Sequence, residues 1–177
     1  MGGDALTIPA KRLTNEEFKE VVREVLERVA KLCRRIQVYP PMPEKVSHGD
    51  VDFLIILEEG RQAKEIVSLL ECKEHVEDKH GKTMNCEFKG YQVDFKMTES
   101  DEDFEMAIFY KSFSGVGSFF GYLTHSETVS LSEKGLFAIR FITPTIKHKH
   151  LVTNKPNEVL EFYGVDPKKF ALGFERR

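Results

Sequence analysis

A chain of 177 residues, 41% hydrophobic with 14 Phe and 31% charged, has a globular composition and enough apolar mass for a substantial core. No apolar run nears the ~18 residues of a membrane span, and the opening MGGDALTIPAKRLT lacks the basic-then-apolar order of a secretory signal. Cys33, Cys72 and Cys86 are odd in number and show no CxxC spacing, so neither a disulfide framework nor a zinc site is indicated, and a reducing, intracellular setting, cytoplasmic or nuclear, is the simpler reading.

The first predicted element is a helix opened by a capping box, Thr14 with Glu17. Phe18, Val21, Val22, Val25, Leu26, Val29, Ala30, Leu32 and Cys33 follow at helical spacing, and Tyr-Pro-Pro-Met-Pro at 39–43 stops the run. Val51 to Leu57 reads as a buried strand, and Arg61 to Leu70 as a helix. Residues 83–89 and 91–97 read as a hairpin turning near Lys89-Gly90. Its second arm, YQVDFKM, puts Tyr91, Val93, Phe95 and Met97 on one face and Gln92, Asp94 and Lys96 on the other. An acidic first turn opens a helix over 101–110, and Gly115 to Leu123 reads as a second, short one. Strands at 135–142 and 148–152 and a helix over 156–163 complete a mixed α/β (α+β) chain.

Charge is unevenly spread along these elements. The net value is −3, too little positive charge to coat nucleic acid by attraction alone. Yet residues 50–105 hold 16 acids against 7 Lys or Arg, whereas residues 134–177 hold 9 Lys or Arg against 4 acids. An acidic centre followed by a basic tail suits a metal site beside a polyanion site, although uneven surface charge gives the same count.

The sharpest motif is Ser47-His48-Gly49-Asp50-Val51-Asp52. Strand residues i and i+2 share a face, so both aspartates aim the same way at the mouth of an apolar strand. Like charges there repel and resist desolvation unless cations neutralise them. A lone Asp-x-Asp also arises as a solvated strand start. Asp94, on the polar face of another strand, is available to the same cluster if the two strands are neighbours. Three carboxylates suit a pair of hard divalent cations, Mg2+ best, with Mn2+ as a substitute.

HGDVDFLI resembles the signature of family X DNA polymerases and of the wider polymerase-beta-like nucleotidyltransferase superfamily, with YQVDFKM similar to its third carboxylate element. FYKSFSGVGSFFGYL followed by SEKGLF is similar to the family's nucleotide-lining segment and glycine-containing turn, and the opening and LEFYGVDPKKF look like small phage- and giant-virus-type members. The resemblance spans about residues 1–167, but only the carboxylate motif is specific. It implies a palm with its N-terminal helix over residues 1–125 and a small extension over 126–177 packed on it. It also implies transfer of a nucleotidyl group from a nucleoside triphosphate to a hydroxyl, as at a nucleic-acid 3′ end, by a two-metal mechanism. Asp50, Asp52 and Asp94 are then the catalytic metal ligands, and Phe113, Ser114 and Gly115 line the sugar and base.

This chain departs from the family at Tyr39-Pro40, where a Gly-Ser pair ordinarily cradles the triphosphate, and Pro40 has no amide to donate. Ser47, Gly49 and Lys45 are the candidates to take over phosphate contact, and His48 either joins them or is an ordinary loop histidine. No helix-hairpin-helix or lyase domain fits in the length. The departure motivates an alternative: a non-catalytic palm-fold module that binds nucleic acid or protein. Metal-dependent phosphodiester hydrolysis needs only the carboxylates and ranks last. His148 and His150 read as part of an exposed basic strand suited to phosphate rather than as metal ligands, and Gly115 and Gly117 as either a close approach to ligand or a flexible turn.

Overall fold

The computed structural model describes residues 5–123, 128–143 and 145–171. The chain forms two compact units, Met1–Tyr39 with Glu44–Glu99 and Pro40–Pro43 with Ser100–Arg177. The expected junction at residues 125 and 126 lies outside the described residues. The architecture is mixed, with helices and a sheet containing both parallel and antiparallel strands.

The first unit runs β1 (Leu13–Thr14), α1 (Asn15–Val29), a 3-10 turn (Ala30–Leu32), β2 (Cys33–Val38), β3 (Ser47–His48), β4 (Asp50–Leu57), α2 (Ala63–Leu70), β5 (His75–Glu77), β6 (Thr83–Phe88) and β7 (Tyr91–Met97). The capping box forms as expected: the Thr14 hydroxyl accepts from the Glu17 amide, and the Glu17 carboxylate accepts from the Thr14 amide. One stripe of α1, Val21, Val25 and Val29, is buried, while Arg23 bridges Glu20 and Glu27 on the exposed side.

The helix stops earlier than its sequence predicts. Periodicity carries the expected helix through Cys33, but the chain turns at Ala30–Leu32 and residues 33–38 become β2, paired antiparallel with β4. Arg34 and Arg35 are tolerated in either state, so pairing with β4 decides between them; helix propensity is a weak prior against it.

Five strands form one sheet in the order β2-β4-β7-β6-β5. Only β4 and β7 run parallel, which obliges the chain to cross over between them through α2 and the β5–β6 pair. One face carries Val51, Phe53 and Ile55 of β4, Met84, Cys86 and Phe88 of β6, and Val93 and Phe95 of β7, all buried in one cluster with α1 and α2. Phe53 and Phe95, register partners, stack with ring centroids 5.5 Å apart. The aspartates occupy the alternate positions and so the opposite face.

The second unit holds α3 (Asp101–Leu123), β8 (Val129–Ser132), β9 (Gly135–Phe141), β10 (Lys147–Thr153), α4 (Pro156–Phe162) and α5 (Pro167–Ala171). Its sheet order is β10-β9-β8, all antiparallel. Met106, Phe109, Val116 and Phe120 of α3 pack with Leu131, Leu136, Val159 and Leu160. α3 is broken where the sequence predicts two helices: Ser112 is extended, and Phe113, Ser114 and Gly115 are left-handed with φ of 52°, 62° and 93°. The Phe113 amide donates to the Pro40 carbonyl at 2.7 Å, and the Ser112 hydroxyl to the Ile108 carbonyl at 2.6 Å.

The break brings Gly117 against Tyr110. A Cβ at Gly117 would lie 2.8 Å from the Tyr110 Cα and closer still to its ring, so only glycine fits. Gly117→Ala is expected to destabilise the protein by about 1–3 kcal/mol, the usual cost of overpacking. A lowered urea midpoint at unchanged slope would register it.

Candidate metal centre

Three features of the sheet assemble the site. β4 pairs parallel with β7 so that Asp52 stands opposite Asp94, and Asp50 stands opposite Gln92. Asp50 and Asp52 are two apart on one strand and therefore share a face. As a result, one carboxylate oxygen from each of Asp50, Asp52 and Asp94 lies within 4.8 Å of the others. Asp52 is exposed, and Asp50 and Asp94 are half-buried.

Unit charges about 4 Å apart repel by ~1 kcal/mol in water and ~4 kcal/mol under the weaker screening near a protein surface. The chain offsets part of this at Asp94. Gln92 Nε2 donates to both Asp94 oxygens, at 2.9 and 3.0 Å. Asn85, opposite Asp94 on β6, also donates to it. Burial nevertheless dominates and raises the Asp94 carboxyl above its ordinary range; the amide bonds oppose that shift and Asp50 adds to it. Gln92 is itself buried and is held by the Ala5 amide, which donates to its Oε1 at 3.0 Å. Gln92 and Asn85 are the positioning residues that motif reading missed. Gln92 was within reach, since it precedes Asp94 by two on the same polar strand face.

The segment leading into β4 is pinned from α1 and β1. His48 is buried, stacked on Phe18 at 4.2 Å between centroids, with Nε2 2.8 Å from Asn15 Oδ1. Burial lowers its pKa first, followed by the nearby positive charges of Lys45 and Arg12, with Asp50 opposing. A neutral ring in the fold follows. Arg12 donates through Nε to Ser47 Oγ at 2.9 Å and through Nη2 to the Ser47 carbonyl at 3.1 Å. Arg12 and Lys45 thus place two cations at the start of the acidic strand. Arg12 went unnoticed in the sequence because its contact depends on β1 pairing with β3, Thr14 opposite Ser47. Gly49 is buried between β3 and β4.

Neither protein-family models nor curated protein sequences match this chain. The site therefore rests on its own chemistry. Three clustered carboxylates are hard oxygen donors with the charge to hold a divalent cation, magnesium among them.

Phe113, Ser114 and Gly115 lie in the second unit, at the break in α3, and are not members of the carboxylate cluster. The Phe113 ring meets Phe170 of α5 edge-on at 5.7 Å. At Tyr39-Pro40, the Tyr39 amide donates to the Asp52 carbonyl at 3.0 Å. With Pro40 lacking an amide, neither residue has a backbone donor to spare for phosphate.

The raised Asp94 carboxyl carries a pH signature. A group raised above its unfolded value of about 4 stabilises the fold most fully below that value, and the contribution is lost as pH rises through the folded value. In chelator-treated protein, the stability of wild type relative to Asp94→Ala is expected to fall as pH rises above the unfolded value of about 4. Thermal melts of both proteins across that range test it. Saturating magnesium is expected to raise the wild-type melting temperature at pH 7 and to leave Asp94→Ala nearly unmoved.

Proposed function

We propose that the chain is a metal-dependent nucleotidyltransferase, similar to the polymerase-beta-like palm, that moves a nucleotidyl group from a nucleoside triphosphate to a hydroxyl. The observation that carries this reading is the convergence of Asp50, Asp52 and Asp94 through the parallel register of β4 and β7. It supplies the arrangement that the HGDVDF and YQVDFKM motifs lead one to expect.

In this reading Asp50, Asp52 and Asp94 would hold the divalent cations, with Asp94 assigned to the side of the acceptor hydroxyl. Bound magnesium supplies charge neutralisation at the α-phosphate and the leaving pyrophosphate and lowers the pKa of the attacking hydroxyl. A bond forms from the acceptor oxygen to the α-phosphorus, and the bond from that phosphorus to the bridging oxygen of pyrophosphate breaks. In this reading the hydroxyl proton passes to the oxygen of Asp94 that is left free of the cations. Gln92 and Asn85 keep it aimed. Arg12 and Lys45, beside Ser47, His48 and Gly49, supply positive charge for the triphosphate in place of the missing Gly-Ser amides.

The commitment of the Tyr39 amide to Asp52 favours a second reading, a palm-fold module that binds nucleic acid or protein without turnover. Calorimetry with each nucleoside triphosphate separates the two. Binding to wild type that needs magnesium, and that Asp50→Ala loses, supports the enzyme; no binding under any condition favours the module. Given binding, Asp94→Ala is expected to lose several kcal/mol of transition-state stabilisation, about a thousandfold or more in turnover, with an unchanged circular dichroism spectrum. Wild-type turnover in Asp94→Ala would remove the catalytic assignment.

A further inference from the structure

We propose that the β9–β10 hairpin is a nucleic-acid-binding arm that grips a duplex through its phosphates. The nucleotidyl-transfer reading supplies the kind of polyanion; the arm itself is read from charge, register and exposure. From Lys134 to Asn157 the chain contains no Asp or Glu, yet it holds Lys134, Arg140, Lys147, Lys149 and Lys155 together with His148 and His150. Lys134 and Lys155 are paired with Asp103 and Glu158. Among the described residues Arg140, Lys147 and Lys149 have no carboxylate partner; Lys149 instead donates to Ser130 Oγ at 3.3 Å and lies over the Phe137 ring.

The register spreads these groups over both faces of the ribbon. His148 pairs with Arg140 and His150 with Ala138, placing two imidazoles, 6.4 Å apart, and a guanidinium on one face. Lys147 pairs with Phe141 and Lys149 with Ile139 on the other. Among the described residues β8 pairs with β9 as far as Ala138, the Ile139 amide adds one bond to the Thr128 carbonyl at 2.7 Å, and Arg140, Phe141, Lys147 and His148 lie beyond that pairing on the two strands β9 and β10. A two-stranded ribbon has the width that the major groove admits.

Exposed apolar side chains lie close to the cations: Phe141 at 44%, Ile142 at 58% and Ile146 at 53% exposure near the turn, and Leu151 and Val152 further back. A membrane-dipping turn would collar its apolar tip with charge at one level. Here the basic groups continue through four successive residues of β10 and across both faces, a distribution suited to two rows of phosphates rather than to a plane. Burying charge-free apolar surface against sugars and base edges then adds to the electrostatic attraction.

The test is fluorescence anisotropy on the full chain with a labelled DNA duplex of about 20 base pairs over a series of salt concentrations. The triple variant Arg140→Ala, Lys147→Ala, Lys149→Ala is expected to bind ~10-fold or more weakly and to lower the slope of log affinity against log salt by about 2–3. The charge-keeping variant Arg140→Lys, Lys147→Arg, Lys149→Arg is expected to retain both affinity and slope. Wild-type binding and slope in the triple Ala variant would overturn the arm, as would wild-type protein that ignores DNA yet binds phosphatidylserine vesicles. Asp50→Ala separates this from the catalytic reading. If Asp50→Ala retains turnover, that reading fails while a salt-sensitive arm stands; if it loses turnover and the triple Ala variant binds DNA normally, only the arm fails.

Discussion

Parallel pairing of β4 with β7 is the constraint on which the first unit depends. It sets Phe53 against Phe95 on one face, where they stack inside the apolar cluster, and Asp52 against Asp94 on the other. Because side chains alternate along a strand, the two outcomes are inseparable. A one-residue slip would carry the aspartates into the core and the phenylalanines to the carboxylate face. The hydrophobic burial that holds the sheet to α1 and α2 is therefore also what enforces the acidic cluster, and the repulsion within the cluster is borne by the stability of the core.

The sheet also explains which polar residues accompany the aspartates. Gln92 and Asn85 are respectively a strand neighbour and a cross-strand partner of Asp94, so their amides reach its oxygens without any loop having to order itself. The other end of β4 is governed by the short β1–β3 pair. That pair brings Arg12 to Ser47, while His48 sits beneath α1 against Phe18 and Asn15. A buried, hydrogen-bonded histidine next to two cations, Arg12 and Lys45, fits an anchoring role for the segment that delivers Asp50.

The second unit follows a different logic. Its helix breaks at three successive left-handed residues, two of which are not glycine, and the break is held by the Phe113 amide on Pro40 and by Tyr110 packed over Gly117. Left-handed backbone at non-glycine residues costs about 1–3 kcal/mol each and persists where surrounding contacts over-determine it. The antiparallel strands beyond it bury one short stretch against α3 and α4 and leave a basic ribbon exposed.

Several elements were legible from residues alone because they rest on local physics. The Thr14–Glu17 box, the apolar run of β4, the turn at Lys89-Gly90, the alternation of β7 and the interruption near Gly115 each follow from capping, period or backbone freedom within a few residues. The same period placed Asp50, Asp52 and Asp94 on polar strand faces. What local physics left open was decided by partners distant in the chain. Residues 33–38 read equally well as the end of α1, and only the vacant edge of β4 makes them a strand. The exposed His75–Glu77 and the short Val129–Ser132 carry little pattern of their own and are strands because β6 and β9 offer them hydrogen bonds. That Asp94 meets Asp52, and that Arg12 meets Ser47, depends on strand order and register. Those are set by burial summed over the whole sheet, which no single stretch of sequence contains.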